Sequence, residues 1–468
     1  PSEGMSMRED VKNLKYVFGP SSIAVIGASP TTGKLGNVVL KNVLDSNFEG
    51  KVYPVNPKYE NVLGLKCAPD VHSIEGKPDL AIFAIPAELI PDVMEQCGKK
   101  GVKGAIVLSA GFGEIGRKDL DQKLATIVRK YKIALIGPNC LGALNPANRV
   151  DTLFFPFYKL GRPRIGDISF VTQSGAVGSC IVDMAAYFGI GFAKFVSYGN
   201  GLTLDEADII EYFGSDEHTK QILLYLEGTK DGRKLLEVME KVNKKKPIIA
   251  LKAGKGAGAS KAALSHTGNL AGNYTAYQAA FRQAKAIEVG SLAELFHAVN
   301  AFSQPFPKGN RVAVLTDGGG LGVLTADALE AEGMKLAQLS PATAKVIKSI
   351  LPPYGNVGNP IDIIADSGPE QYRKALDALL ADDGVDTIIV IVLFQAPALD
   401  SSILDIIVTA SDQRKKPIFS VAVGGEYTNE SRKVLDRYGV PSYDSPDFAV
   451  KALRRFTDYG SFLSKKKK

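Results

Sequence analysis

Tryptophan is absent from this chain, and histidine and cysteine number only four each. The cysteines, Cys67, Cys97, Cys140 and Cys180, lie far apart, with no CxxC pair and no Cys/His cluster. That argues against a metal site and against a disulfide framework, and it makes a reducing cytoplasm the expected compartment. No run of 18 apolar residues occurs, so no membrane-spanning helix and no membrane partner are expected. The opening residues PSEGMSMRED lack the apolar segment of a secretory signal. Charge of one sign is scarce too. The net charge is +6, and the only dense basic run is Lys465–Lys468, a solvated tail; nucleic acid is not an expected partner.

What is present is glycine, 47 residues of it, and a steady alternation of apolar β-branched runs with helical patterns. At about 150 residues per domain, 468 residues suggest three domains, each able to bury a core without staples. The first set of runs is SIAVIGAS (22–29), KVYPVNP (51–57), DLAIFAIP (79–86), GAIVLSAG (104–111) and IALIGPN (133–139). A second set starts at DISFVTQSG (167–175) and a third at RVAVLTDGGG (311–320). Continuous apolar strands separated by helices predict an α/β protein with doubly wound, mostly parallel sheets. The expected domains are 10–147, 165–302 and 309–464. The Pro-, Phe- and Arg-rich segment 146–166 and the segment 302–310 read as linkers. The second and third units open alike, FVTQSGAVG against VLTDGGGLG, which reads as a repeated strand–turn–helix unit.

Several loops carry chemistry-bearing patterns. GASPTTGKLGN (27–37) follows the first strand and opens a helix, a backbone arrangement suited to an anion. It is neither the G-x-G-x-x-G dinucleotide fingerprint nor a Walker A loop, and a plain tight turn is the competing reading. The loops VNPK (55–58), AIPA (84–87), SAGFGE (109–114) and GPNCLG (137–142) should line the same carboxyl edge, where Lys34 and Lys58 can meet phosphates. Cys140 reads as a buried small residue rather than a nucleophile. TQSGAVG and TDGGGLG place Ser174–Gly175 and Gly318–Gly320 at helix starts; they are either two halves of a phosphate clamp or two unrelated turns. Finally, the Gly/Ala/Ser/Lys-rich stretch 252–272 contains His266, a competent phosphoryl acceptor. Glu227, at the end of the strand LLYLEG, is either its partner or a solvated strand-end carboxylate.

In this order, GAS…GK, VNPK, AIPA, SAGFGE, GPNCLG, TQSGAVG, YLEG and SHTG resemble the α subunit of nucleoside-diphosphate-forming acyl-CoA synthetases, above all the ADP-forming acetyl-CoA synthetase branch related to succinyl-CoA synthetase. The resemblance implies a Rossmann-like CoA-binding domain followed by two flavodoxin-like domains. It implies that CoA or acetyl-CoA meets Gly27, Ala28, Ser29, Lys34, Gly36, Val55, Pro57, Lys58, Ile85, Pro86 and the loop Ser109, Ala110, Gly111, Phe112, with Asn139 near the thioester. Phosphate would be held by Gln173, Ser174, Gly175, Gly319, Gly320 and Gly322. His266 would carry the phosphoryl group and Glu227 would orient it. The implied reaction is acyl-CoA + ADP + phosphate ⇌ carboxylate + CoA + ATP. Fused relatives carry an ATP-grasp domain that is not evident in this chain, so ADP/ATP and Mg2+ would bind an ATP-grasp β subunit, in an α2β2 heterotetramer. SHTG stands where the succinate enzyme has GHAG, which favours a monocarboxylate such as acetate. The alternative is a non-catalytic CoA-binding or regulatory protein.

Overall fold

A computed structural model describes residues 7–256, 258–259, 273–352 and 357–465. His266 lies outside the described residues. The chain divides into two compact units, Pro1–Glu288 and Val289–Lys468. No helix among the described residues is long and apolar enough to cross a membrane.

The first unit holds two sheets. The first is built from β1 (Ser22–Ile26), β2 (Lys51–Val55), β3 (Leu80–Phe83), β4 (Gly104–Val107) and β5 (Ala134–Ile136), in the spatial order β2-β1-β3-β4-β5. All pairs are parallel. β1, β3, β4 and β5 are buried along their whole length, as the unbroken apolar runs require for a sheet covered on both faces. The crossover helices are α1 (Leu35–Asp45), α2 (Ile90–Lys100) and α3 (Lys118–Tyr131). In α3, Leu120, Leu124, Ala125 and Val128 form the buried stripe, at the three- and four-residue spacing of an amphipathic helix. α2 starts with proline in its first turn and ends on Gly101 at φ 87°, the left-handed cap that glycine adopts at no steric cost.

The second sheet contains β6 (Gly142–Asn145), β7 (Val150–Asp151), β8 (Ile165–Thr172), β9 (Phe192–Ser197), β10 (Gln221–Leu226), β11 (Ile248–Lys252) and β12 (Ile287–Val289). Their order is β12-β11-β10-β8-β9-β6-β7. Crossovers run through α4 (Gly175–Phe188), α5 (Glu206–Ser215), α6 (Gly232–Val242) and α7 (Tyr274–Ala284). The hairpin β6–β7 extends this sheet antiparallel to β9, so the segment 146–166 is more than a connector. Asp151, buried in β7, pairs with Arg162 at 2.5 Å, and Arg162 also donates to the carbonyls of Phe155 and Leu160. Asn42 of α1 reaches across to the carbonyls of Leu153 and Phe155. Composition alone conceals this order because polar contacts distant in sequence create it.

The second unit opens with α8 (Leu292–Ala301) and builds one sheet from β13 (Arg311–Thr316), β14 (Lys335–Leu336), β15 (Ile361–Asp362), β16 (Thr387–Ile391), β17 (Ile418–Val421) and β18 (Ser442–Tyr443). The order is β14-β13-β16-β17-β18, and β15 also pairs with β13. Its helices are α9 (Gly319–Ala331), α10 (Pro341–Ile350), α11 (Pro369–Ala381), α12 (Ser402–Asp412), α13 (Glu426–Arg437) and α14 (Pro446–Lys465). Sequence patterning did not reveal β15 or β18, each only two residues long. In the segment 302–310, Gln304 is buried and binds Ser411, the Gly439 carbonyl and the Ile418 N–H.

One edge of β13 is shared. β14 pairs with its first residues and β15 with its last. Between them the Asn359 side chain takes the place of a strand. Its Oδ1 accepts from Val314 N–H at 2.9 Å, and its Nδ2 donates to the carbonyls of Val312 and Ala337 at 2.8 and 3.0 Å. Asn359→Ala leaves those groups unpaired beside a buried strand. We expect a loss of about 2 kcal/mol in denaturant unfolding of the full chain; a change within error would show that solvent replaces the asparagine.

Candidate active site

At the carboxyl edge of the first sheet lies a cleft of about 660 Å³. It opens where the strand order reverses, between β1 and its neighbours, as expected for an open doubly wound sheet. Gly27, Ser29, Lys34, Gly36, Val55, Pro57, Lys58, Ile85 and Pro86 line it. Among the other residues expected there, Ala28 is buried, and the loop Ser109, Ala110, Gly111, Phe112 and Asn139 sit outside the lining. Ser109 nevertheless joins the cleft through a 2.6 Å hydrogen bond to the Ile85 carbonyl. Tyr59, Asp70, Leu89 and Gln96 also line the cleft and were not anticipated. Tyr59 and Leu89 fall just outside the loops VNPK and AIPA, while Asp70 and Gln96 lie far from any of the loop motifs.

Two glycines make the cradle. Gly27 has φ 89°, and a Cβ there would sit 2.4 Å from the Ala84 carbonyl oxygen. A Cβ on Gly36 would sit 1.9 Å from the Gly27 carbonyl oxygen. The pair thus supplies the tight turn and the close helix–strand contact that the dinucleotide fingerprint obtains with different spacing. α1 begins here with no side-chain cap and no acidic residue in its first turn. Its free N–H groups and positive dipole end meet the cleft, with exposed Lys34 and Lys58 at the rim.

The second cluster lies at the carboxyl edge of the second sheet. Thr172 closes a turn in which its hydroxyl accepts from Ser174 N–H and donates to the Ser174 carbonyl. Ser174 then caps α4, accepting from Val177 N–H at 3.3 Å. The Gln173 side-chain oxygen accepts from both Glu227 N–H at 3.0 Å and Gly228 N–H at 3.1 Å. Gln173, Ser174, Gly175 and Glu227 are therefore one cluster. Thr229 N–H donates to the Tyr277 hydroxyl, Lys230 Nζ to the carbonyls of Asn200 and Gly201, and Lys252 Nζ to the Glu227 carbonyl. The loop 227–230 is held at every residue.

A bridge joins the two edges. Asn200 donates to Glu114 Oε2 at 2.5 Å, and Glu114 Oε1 accepts from Gly111 and Phe112 N–H. Asn139 Nδ2 reaches Asn200 at 3.4 Å. Gly199, at φ 57°, lets the chain pass so close that a Cβ would lie 2.2 Å from the Asn139 carbonyl oxygen. The loops SAGFGE, GPNC and SYGN thus meet. Asn200 was not anticipated, although its place just after a strand's carboxyl end was the available signal.

In the second unit the turn repeats. The Thr316 hydroxyl accepts from Gly318 N–H and donates to the Gly318 carbonyl, and α9 starts at Gly319. Asp317, in the place of Gln173, accepts from Leu393 N–H. By register Thr172 faces Tyr225 and Thr316 faces Ile391, so Leu393 stands where Glu227 stands. Gly319, Gly320 and Gly322 occupy the first turn of α9, as expected.

Cys140 is buried, its thiol directed at the Val107 carbonyl and its pKa pushed up to about 12 by burial. Burial pushes the Cys97 thiol up to about 12 as well. Neither is a nucleophile. In the native protein a thiol reagent should label Cys180, the exposed cysteine, and leave Cys67, Cys97 and Cys140 unmodified until the chain unfolds. Peptide mapping after brief alkylation checks this; native labelling of Cys140 would overturn it.

Three family models match: a CoA binding domain over residues 21–146, a succinyl-CoA ligase like flavodoxin domain over 165–302 and a ligase-CoA domain over 312–446. The chain is 42% identical to the acetate–CoA ligase [ADP-forming] II subunit alpha of Pyrococcus furiosus, across 93% of this chain and 95% of that protein. It is also 42% identical to the acetate–CoA ligase [ADP-forming] of Methanocaldococcus jannaschii, across 95% of this chain but 63% of that longer protein. Among solved structures, the dinucleotide forming acetyl-coenzyme A synthetase 1 of Ca. Korarchaeum cryptofilum, in complex with phosphate and ADP, superposes with a TM-score of 0.90 at 34% identity, covering 97% of this chain and 98% of that one.

Proposed function

Because the chain belongs to the ADP-forming acetate–CoA ligase family, we propose that it is the α subunit of such a ligase, binding acyl-CoA and phosphate and passing the phosphoryl group through His266. The observation that carries this reading is the hydrogen bonding of Gln173 to Glu227 and Gly228, which unites the start of α4 with a strand-end carboxylate suited to orient a histidine.

The first sheet's cleft fits coenzyme A in size and in chemistry. An uncapped helix start and two rim lysines suit its phosphates, and the apolar walls suit its pantetheine arm. The bridge through Glu114 and Asn200 supports a path along which the thioester reaches the second sheet's edge, beside Asn139. There a phosphate oxygen held at the start of α4 attacks the thioester carbonyl. The C–S bond breaks, CoA leaves as thiolate, and an acyl phosphate forms. An imidazole nitrogen of His266 then attacks phosphorus, and the carboxylate leaves. Glu227 accepts the other ring N–H, fixing the tautomer and stabilising the charged ring. Helix-start N–H groups stabilise charge on the transferring group. Gly319, Gly320 and Gly322 would supply the matching start of α9. The ATP-grasp partner would hold ADP and Mg2+ and receive the phosphoryl group, in an α2β2 assembly in the cytoplasm. The threonine of SHTG, in place of the succinate enzyme's alanine, supports a monocarboxylate substrate.

Two experiments test this. With the complete enzyme, acetyl-CoA and radiolabelled phosphate, the wild type should acquire an acid-labile, base-stable label that His266→Ala lacks. A labelled His266→Ala protein would overturn the assignment. The Lys34→Ala/Lys58→Ala pair should weaken CoA binding about tenfold at low salt, and by less as salt rises, in titration calorimetry. An unchanged Kd would place the phosphates elsewhere.

A further inference from the structure

Lys252 ends β11 and is 1% exposed, among the largest fully buried side chains of the protein. Its Nζ donates to the Glu227 carbonyl at 2.7 Å and to the Ala253 carbonyl, and it lies 4.6 Å from the centroid of the Tyr277 ring. The Tyr277 hydroxyl in turn accepts from Thr229 N–H at 3.0 Å. Two carbonyls and an aromatic face surround the ammonium.

A lysine in such a place is costly. Burying an ammonium carries a desolvation penalty of several kcal/mol before its contacts offset it. Burial pushes its pKa below the usual lysine range, while the nearby Glu227 charge pulls it back up. An unbranched apolar side chain of similar length would fill the space without that penalty, so packing does not explain the residue. Its contacts do. They converge on the loop 227–230, whose N–H groups are held from the opposite side by Gln173. Glu227 is thus gripped by its N–H on one flank and its carbonyl on the other.

We propose that Lys252 is a positioning residue for phosphoryl transfer: its buried ammonium clamps the carboxyl end of β10 by its bond to the Glu227 carbonyl, and so sets where the Glu227 carboxylate is presented. This rests on the reading of Glu227 as the partner of His266. Lys252 touches no reacting atom and acts through Glu227.

The test uses the complete enzyme with acetyl-CoA and labelled phosphate. Lys252→Met removes the charge and the donor but keeps the length. It should leave the melting temperature, the Kd for CoA and the KM for acetyl-CoA within about twofold or within error, while kcat and the rate of label formation fall about tenfold or more. In a Glu227→Gln background the same substitution should cost less than about twofold, because the group it serves is already lost. Should Lys252→Met not fold, Lys252→Gln, which keeps a donor without the charge, decides the question by the same readouts. An unchanged kcat, or an equal loss in the Glu227→Gln background, overturns the proposal. So does a kcat loss matched by lost CoA affinity and melting temperature. A wild type that takes up no acid-labile label overturns the site reading itself; a labelled wild type beside an unaffected Lys252→Met overturns the positioning role alone.

Discussion

A parallel strand cannot turn directly into its neighbour; it must cross back over the sheet through a helix. Everything functional in this protein follows from that constraint. In each sheet a leading parallel strand lies between two parallel neighbours, β1 between β2 and β3, β8 between β9 and β10, and β13 between β14 and β16, so the crossovers diverge to opposite sides and a crevice opens at that strand's carboxyl end. Gly27, Thr172 and Thr316 stand at these three ends. Each is followed by a helix whose first N–H groups face the crevice region. The sheet interiors, buried on both faces, leave chemistry nowhere else to go.

The two later sheets show how one device is put to different uses. Both close the turn with a threonine hydroxyl, and both use the next side chain to accept from the backbone beyond the adjacent strand. The strand-end residue then differs, Glu227 in one and Leu393 in the other. The geometry for presenting a helix start is retained in both, but the carboxylate at the end of the neighbouring strand is present in one. Burial raises the Asp317 pKa, and the Asp362 carboxylate also lies at the second helix start, where a Cβ on Gly319 would sit 2.5 Å from its Oδ2.

Much of this is legible from residues alone, and the limits are physical. Apolar runs announce the long buried strands because burial on both faces demands continuity. The turns are visible because glycine, threonine and serine are the residues that make them. β15 and β18 are two residues long and leave no periodicity to detect. The ordering of 146–166 depends on Arg162 and Asn42, partners supplied from elsewhere in the fold. Lys252 and Asn200 look like ordinary polar residues in sequence; their roles come from what the crossing strands bring beside them. Asn139 and Glu227 are recognisable by motif, but their partners, Asn200 for one and Gln173 for the other, are supplied by the folded chain.

The division of the chain at Glu288/Val289 gives α8 a particular standing. Its buried face, Leu295, Phe296 and Val299, is covered from within the second unit, where the His297 ring packs tilted against Phe448 and Glu294 pairs with Arg455 of α14. The family model for the middle domain nevertheless runs through α8 to residue 302. Ancestry and packing therefore draw different borders. A gene split or permuted at the Pro/Gly-rich stretch would strand α8 away from the helix that shelters it, whereas a split one helix earlier would keep them together. That helix is where the inherited border and the packing border part company.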